Sequence, residues 1–192
     1  MKSKLLLVWV FVMAAVAVIA QESTFNKEDK VLNLGIGIGS TLYSGAYYNT
    51  KIPPLSASLE FGIIDNLFEV ENLNLGVGGY VGFSMSEWRY TWWGEDYGWR
   101  YTNIILGARG TIHYPIAEKL DTYTGLLLGP NIVLSSEFGD WGDGDDIHTA
   151  SGSGLVYAYY IGARYYLKEN LGVMAELGYG ISYINLGVAL KL

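Results

Sequence analysis

From Ile184 to Leu192 the chain alternates without a fault. Ile184, Leu186, Val188, Leu190 and Leu192 take one side of an extended strand, and Asn185, Gly187, Ala189 and Lys191 take the other. A strand of this kind needs a partner for its backbone and an apolar medium for its greasy side. The same alternation recurs along the chain, and the charged residues fall on the side that carries the glycines. In a water-soluble sheet the polar side would be crowded with Lys and Glu. Here it is built from Gly, Asn, Ser, Tyr and few charges, which suits the narrow interior of a small closed barrel. The apolar side then has to meet lipid.

Eight such segments can be traced, each near the ten residues that a tilted membrane strand requires. They are expected at Val31 to Leu42, Leu55 to Ile64, Leu73 to Met85, Tyr101 to Tyr114, Asp121 to Leu134, Leu155 to Leu167, Leu171 to Ile181 and Ile184 to Leu192. The fifth is blurred, because Leu126, Leu128 and Ile132 share a face with Thr122, Thr124 and Pro130. The apolar parity switches between Tyr183 and Ile184, which places a tight turn there. Long connections are expected at Tyr43 to Pro54, Ser86 to Arg100 and Ser135 to Gly154. The intervening ones are short or moderate. Short turns on one side and long loops on the other is the pattern of outer-membrane barrels. The expected fold is all-β: one eight-stranded antiparallel transmembrane up-and-down β-barrel spanning residues 31–192.

Ahead of it, Lys2 and Lys4 precede an apolar run from Leu5 to Ala20, followed by Gln21-Glu22-Ser23. A charged start, an apolar core and a small residue at the end read as a signal peptide, residues 1–20, with 21–30 as a short polar leader. The alternative is a single anchoring helix, for which the run falls short of about 20 residues. There is no Cys, so neither disulfides nor an acylated cysteine enter the argument. The chain carries 12 basic and 19 acidic residues, and the excess of acid argues against a nucleic-acid partner. After the signal no run of 18 apolar residues occurs, so only strands can cross a membrane.

The chain resembles the small outer-membrane β-barrels of the OmpA/OmpX-like group over about Val31 to Leu192. The most specific piece is Asn185-Leu186-Gly187-Val188-Ala189-Leu190-Lys191-Leu192. It is similar to the group's C-terminal insertion signal, with Asn185, Gly187, Leu190 and Leu192 at its defining positions. The departure is a terminal Leu where an aromatic residue is usual. The resemblance implies a Gram-negative cell envelope, with outer-membrane lipid and the insertion machinery as partners. Gly162 to Leu167 and the turn Lys168-Glu169-Asn170-Leu171-Gly172 also resemble the group's closing hairpin.

Four inward charges are the first candidates for function: Glu60, Arg109, Arg164 and Glu176. An eight-stranded interior is only wide enough to be filled by side chains, so these groups need partners. They read as a network plugging the lumen, or as the selectivity element of a narrow small-solute channel. Which Glu meets Arg109, Glu60 or Glu176, depends on barrel shear. Trp92 and Trp93, beside Gly94-Glu95-Asp96, and Trp141 in the next loop form a candidate contact surface for an extracellular glycan or protein. Trp88 and Trp99 suit the interfacial aromatic belt instead. Asp140, Asp143, Asp145 and Asp146 are weak cation-binding candidates, since their spacing completes no Ca²⁺ loop and a solvated acidic loop explains them better. His148 with Ser151 or Ser153 is the weakest catalytic arrangement. The expectation is a non-enzymatic protein without cofactor or metal.

Overall fold

The computed structural model describes residues 23–43, 45–139 and 152–192. It contains eight strands: β1 (Lys30–Ser40), β2 (Tyr48–Ile64), β3 (Asn74–Trp92), β4 (Glu95–Ala117), β5 (Leu120–Phe138), β6 (Gly154–Lys168), β7 (Leu171–Tyr179) and β8 (Ser182–Lys191). Each pairs antiparallel with its neighbour in sequence, and β1 pairs with β8, so the sheet closes without an edge. Closure is what lets a sheet satisfy every ladder hydrogen bond inside lipid.

The outward faces follow the alternation. Leu34, Ile36, Val81, Leu106, Leu126, Leu177 and Leu186 are exposed on the barrel wall, while Asn33, Ser58, Asn103, Arg109 and Glu176 are buried on the inner side. The two threonines that blurred β5 sit on the lipid side and are satisfied locally. Thr122 Oγ1 donates to the carbonyl of Tyr114, and Thr124 Oγ1 donates to that of Tyr160 at 3.0 Å. A hydroxyl bonded to a neighbouring carbonyl loses most of its cost in lipid.

The strand ends depart from the expected ones. No long loop spans Ser86 to Arg100; β3 and β4 remain paired without a break up to Trp92–Glu95. Trp93 (φ 51°) and Gly94 (φ 84°) form the two-residue turn. The alternation continues there as aromatic against charged, Trp88 and Tyr90 against Glu87 and Arg89, so an apolar-against-polar reading stops too soon. β2 likewise starts at Tyr48 and not at Leu55. Pro53 and Pro54 have no N–H to give, and the register with β3 slips around Ile52 while the strand goes on. The last turn lies at Gly180 and Ile181, before the expected Tyr183–Ile184 position; Ser182 already pairs with Ser40. The parity switch has another origin. Gly39 opposite has φ 69°, and Tyr183, 55% exposed, lies across it.

The segment ahead of β1 is no idle leader. Residues 23–29 fold across the mouth that holds the short turns. Glu28 N–H donates to the Gly62 carbonyl and Gly62 N–H to that of Asp29. Lys191 pairs with Asp29 at 2.7 Å. Gly62 has to be glycine: a Cβ there would collide with the Asn26 carbonyl. The expected signal peptide, residues 1–20, lies outside the described residues.

Candidate functional site

Two layers fill the lumen, and the strand registers set both. The lower layer, nearer the termini, is ionic. Arg109 of β4 donates from Nη2 to Glu176 Oε1 of β7 at 2.7 Å, from Nε to the Tyr160 hydroxyl at 2.9 Å and from Nη1 to Ser58 Oγ at 3.3 Å. Its guanidinium stacks 4.1 Å from the Tyr160 ring. Glu176 also accepts from the Tyr123 hydroxyl and from Asn185 Nδ2, each at 3.0 Å. Arg164 of β6 is fully buried. It donates to Glu60 of β2, to Asp121 of β5 at 3.0 Å and to Asn33 of β1 at 3.0 Å.

His113 links the carboxylates. Its Nδ1 lies 2.9 Å from Asp121 and its Nε2 3.1 Å from Glu60. An ionised carboxylate only accepts, so the two contacts together call for an N–H on both ring nitrogens. Three cationic side chains then stand against Glu60, Asp121 and Glu176. That balance is the condition under which such a layer can exist out of water. Phe25 of the 23–29 segment caps it from below: it is 0% exposed, with its ring 3.9 Å from His113 and stacked. Asn74 Nδ2 holds this cap by donating to Ser23 Oγ at 2.8 Å and to the Phe25 carbonyl at 2.5 Å.

The upper layer is apolar. Tyr80, Ile105, Leu127, Val156, Ala158 and Ile181 pack together inside the barrel. Glycines make room for the rings: a Cβ on Gly162 would stand 2.7 Å from Tyr123. The space beside Arg109, Glu176, Tyr80 and Asn185 amounts to about 40 Å³, enough for one or two waters.

The structure therefore brings Glu60, Arg109, Arg164 and Glu176 into one layer, and it pairs Arg109 with Glu176, not with Glu60. His113, Asp121, Asn33 and Phe25 belong to that layer and were not among the sequence candidates. The inward parity of His113 and Asp121 was legible. Their meeting was not, since it depends on register across three strands. Trp93 stands at the hairpin tip, 92% exposed, and Trp92 ends β3 beside it. Trp141, Asp140, Asp143, Asp145, Asp146, His148 and Ser151 lie outside the described residues. Ser153, the other serine considered for catalysis, accepts from the Val133 N–H at 2.9 Å. Among the described residues no cluster of His, Cys, Asp and Glu could hold a metal ion. Asn185 and Gly187 face the lumen on β8, and Leu192 N–H donates to the Lys30 carbonyl of β1 at 2.9 Å.

Where the hairpin leaves the membrane, Glu87 is 3% exposed beneath three cations. Lys51 Nζ lies 3.0 Å away, Arg100 donates from Nε and Nη2 at 3.1 and 2.9 Å, and Arg89 Nη2 donates at 3.2 Å. Burial alone would raise the pKa of this carboxyl. The bonds from Arg100, Lys51 and Arg89 outweigh it and hold the group below its ordinary value.

The height of the apolar wall decides what medium surrounds the sheet. On β3 the outward side chains run from Leu75 to Met85 and charge begins at Glu87. Ten residue steps of about 3.3 Å on a strand tilted by about 40° rise about 25 Å, the apolar band of an outer-membrane barrel. The chain is an integral outer-membrane β-barrel. No protein-family model and no curated protein sequence matches it. Among solved structures the barrel is similar to the outer membrane protein OprG of Pseudomonas aeruginosa (12% identity, TM-score 0.43, covering 89% of this chain and 99% of that one). It is also similar to the N-terminal β-barrel domain of OprF from the same organism (13%, TM-score 0.40, 86% and 98%). A third is Ail, the attachment invasion locus protein of Yersinia pestis (16%, TM-score 0.39, 87% and 95%). The closed, up-and-down eight-stranded barrel is the fold that the sequence led one to expect.

Proposed function

We propose that this protein is a plugged, non-enzymatic barrel that works through the surface it presents outside the cell. The observation that carries the reading is the filled lumen. Phe25, the ionic layer and the apolar cluster lie in series, and a solute crossing would have to break the ion pairs and wet the cluster. Side chains that fill the interior of an eight-stranded barrel leave no continuous water-filled path through the described residues. The extracellular counterpart is the β3–β4 hairpin, which stands past the apolar band and ends in the exposed indole of Trp93. An exposed aromatic at such a tip suits stacking on a sugar or docking on a protein.

Planar-bilayer recording tests the first half. The plugged barrel gives no steady ohmic steps; regular unitary conductance that survives in purified preparations would make it a channel. Binding of folded protein to immobilised glycans, with Trp93→Ser as comparison, tests the second. Equal binding by both would remove the tip from the reading.

A further inference from the structure

All the basic residues on the extracellular side of this barrel stand in one place. Of the 12 Lys and Arg in the chain, Lys2 and Lys4 lie ahead of the described residues. Lys27, Lys30, Lys119, Lys168 and Lys191 ring the end with the short turns, and Arg109 and Arg164 are inside. The residue pair left out of that account, with Lys51, is Arg89 and Arg100, and all three converge on Glu87. Residues 140–151 contain neither Lys nor Arg. In a chain of net charge −7 this is a local reversal of sign.

The cluster faces lipid. β3 and β4 stay in register without a break, so Glu87 and Arg89 share the outward side with Val81 and Phe83, and Arg100 shares it with Ile104 and Leu106. Glu87 lies one outward position past Met85, so the cluster sits about 5 Å above the apolar band, at headgroup height. Its charge is not balanced internally. Three cations meet Glu87 and Asp96, the second bound by Arg89 at 2.8 Å. Glu87 takes only two of the three guanidinium nitrogens of Arg100 and one contact from Lys51. Their side chains are 45% and 42% exposed. Glu87 thus acts as a buried post that fixes three cations in an array whose outer side is exposed.

We propose that Lys51, Arg89 and Arg100 form a binding site for the phosphate group of an outer-leaflet lipid headgroup. Guanidinium groups bind phosphate oxygens through paired N–H donors, and the ammonium of Lys51 adds a point charge. A membrane-facing cation contributes about five-fold in affinity for an anionic lipid.

The test uses the folded full barrel in phosphatidylcholine vesicles that carry brominated phosphatidic acid as the minor lipid. Quenching of the tryptophan introduced by Met85→Trp, one outward position below Glu87, in a background whose native tryptophans are changed to Phe, reports the lipid beside the cluster. The wild type should select phosphatidic acid over brominated phosphatidylcholine. Lys51→Gln with Arg100→Gln should lose that preference by about five-fold for each cation removed. Lys119→Gln with Lys168→Gln, which removes equal charge at the opposite end, should keep it. Equal loss in both double variants, or none in the first, would overturn the site in favour of diffuse attraction. Displacement by millimolar inorganic phosphate would make it a free-anion site and overturn the headgroup assignment. Arg100→Lys, with heat-modifiable gel mobility checked for each variant, separates loss of the site from loss of the fold.

Discussion

Replacing Arg109 by Met leaves Glu176 charged in a layer with little room for water. Three hydrogen bonds and a ring contact disappear with the guanidinium, while Glu176 keeps Tyr123 and Asn185 at 3.0 Å each. Removal of one member of a buried pair costs about 3–5 kcal/mol, and the two surviving donors argue for the lower end, about 3. With a urea slope of about 2 kcal/mol/M the unfolding midpoint falls by about 1.5 M. Arg109→Met with Glu176→Met should recover about 2 kcal/mol of this, since no charge is then stranded. Arg109→Met with Glu60→Met should recover nothing, because Glu60 belongs to Arg164 and His113. The assay is a urea titration of vesicle-folded barrel, read by gel mobility and tryptophan fluorescence. Equal recovery in both doubles would show a diffuse charge pool in place of a specific pair. No recovery in either would show that the charges are independently hydrated and the lumen wet.

Three further outcomes are expected. Gly62→Ala should drive the Asn26 carbonyl away and loosen residues 23–29, so that trypsin cuts after Lys27 or Lys30 faster while the barrel core stays resistant; unchanged cleavage would show that the cap is not held at Gly62. Glu87, held below its ordinary value, contributes stability above the unfolded carboxylate pKa, and that stability is lost as pH falls through the folded value. Acid should therefore loosen the hairpin tip, read as faster amide exchange at Arg89 and Gly98, and Glu87→Gln should flatten this dependence; because its partners are 37–45% exposed the effect is modest. Leu192→Phe, restoring the aromatic end that the group resemblance implies, should speed assembly by the insertion machinery with little change in the urea midpoint; no change in assembly rate would remove the terminal residue from that signal.

Alternation made the barrel legible, because lipid on one side and a narrow lumen on the other give each strand two unlike faces. It failed where the medium changed. Above the membrane the outward face of β3 turns from Val81 and Phe83 to Glu87 and Arg89, and the hairpin there looked like a loop. The inward sets were legible as sets: Glu60, Arg109, Arg164 and Glu176 all carry the right parity. Their pairing was not, because it is fixed by how far each strand slides past the next. The same slide brings His113 between Asp121 and Glu60. Phe25 left one sign, a lone aromatic in a polar segment, and its burial follows from the aromatic floor that His113 offers it. The apolar upper layer escaped notice because Ile105, Leu127 and Ile181 share the lumen side with glycines and polar residues.

The ionic layer also bears on assembly. Its hydrogen bonds join Asn33 to Arg164 over 131 residues, Glu60 to Arg164 over 104 and Arg109 to Glu176 over 67. None of these can form in a nascent hairpin, and β1 and β6 reach one another only across a finished ring. Before closure Asp121 can already meet His113 across the β4–β5 hairpin and Arg164 across β5–β6, whereas Glu60, Arg109 and Glu176 are still bare charges on an open sheet. The pairs that cross the lumen, Glu60 with Arg164 and Arg109 with Glu176, therefore form only in the completed circle and favour late closure.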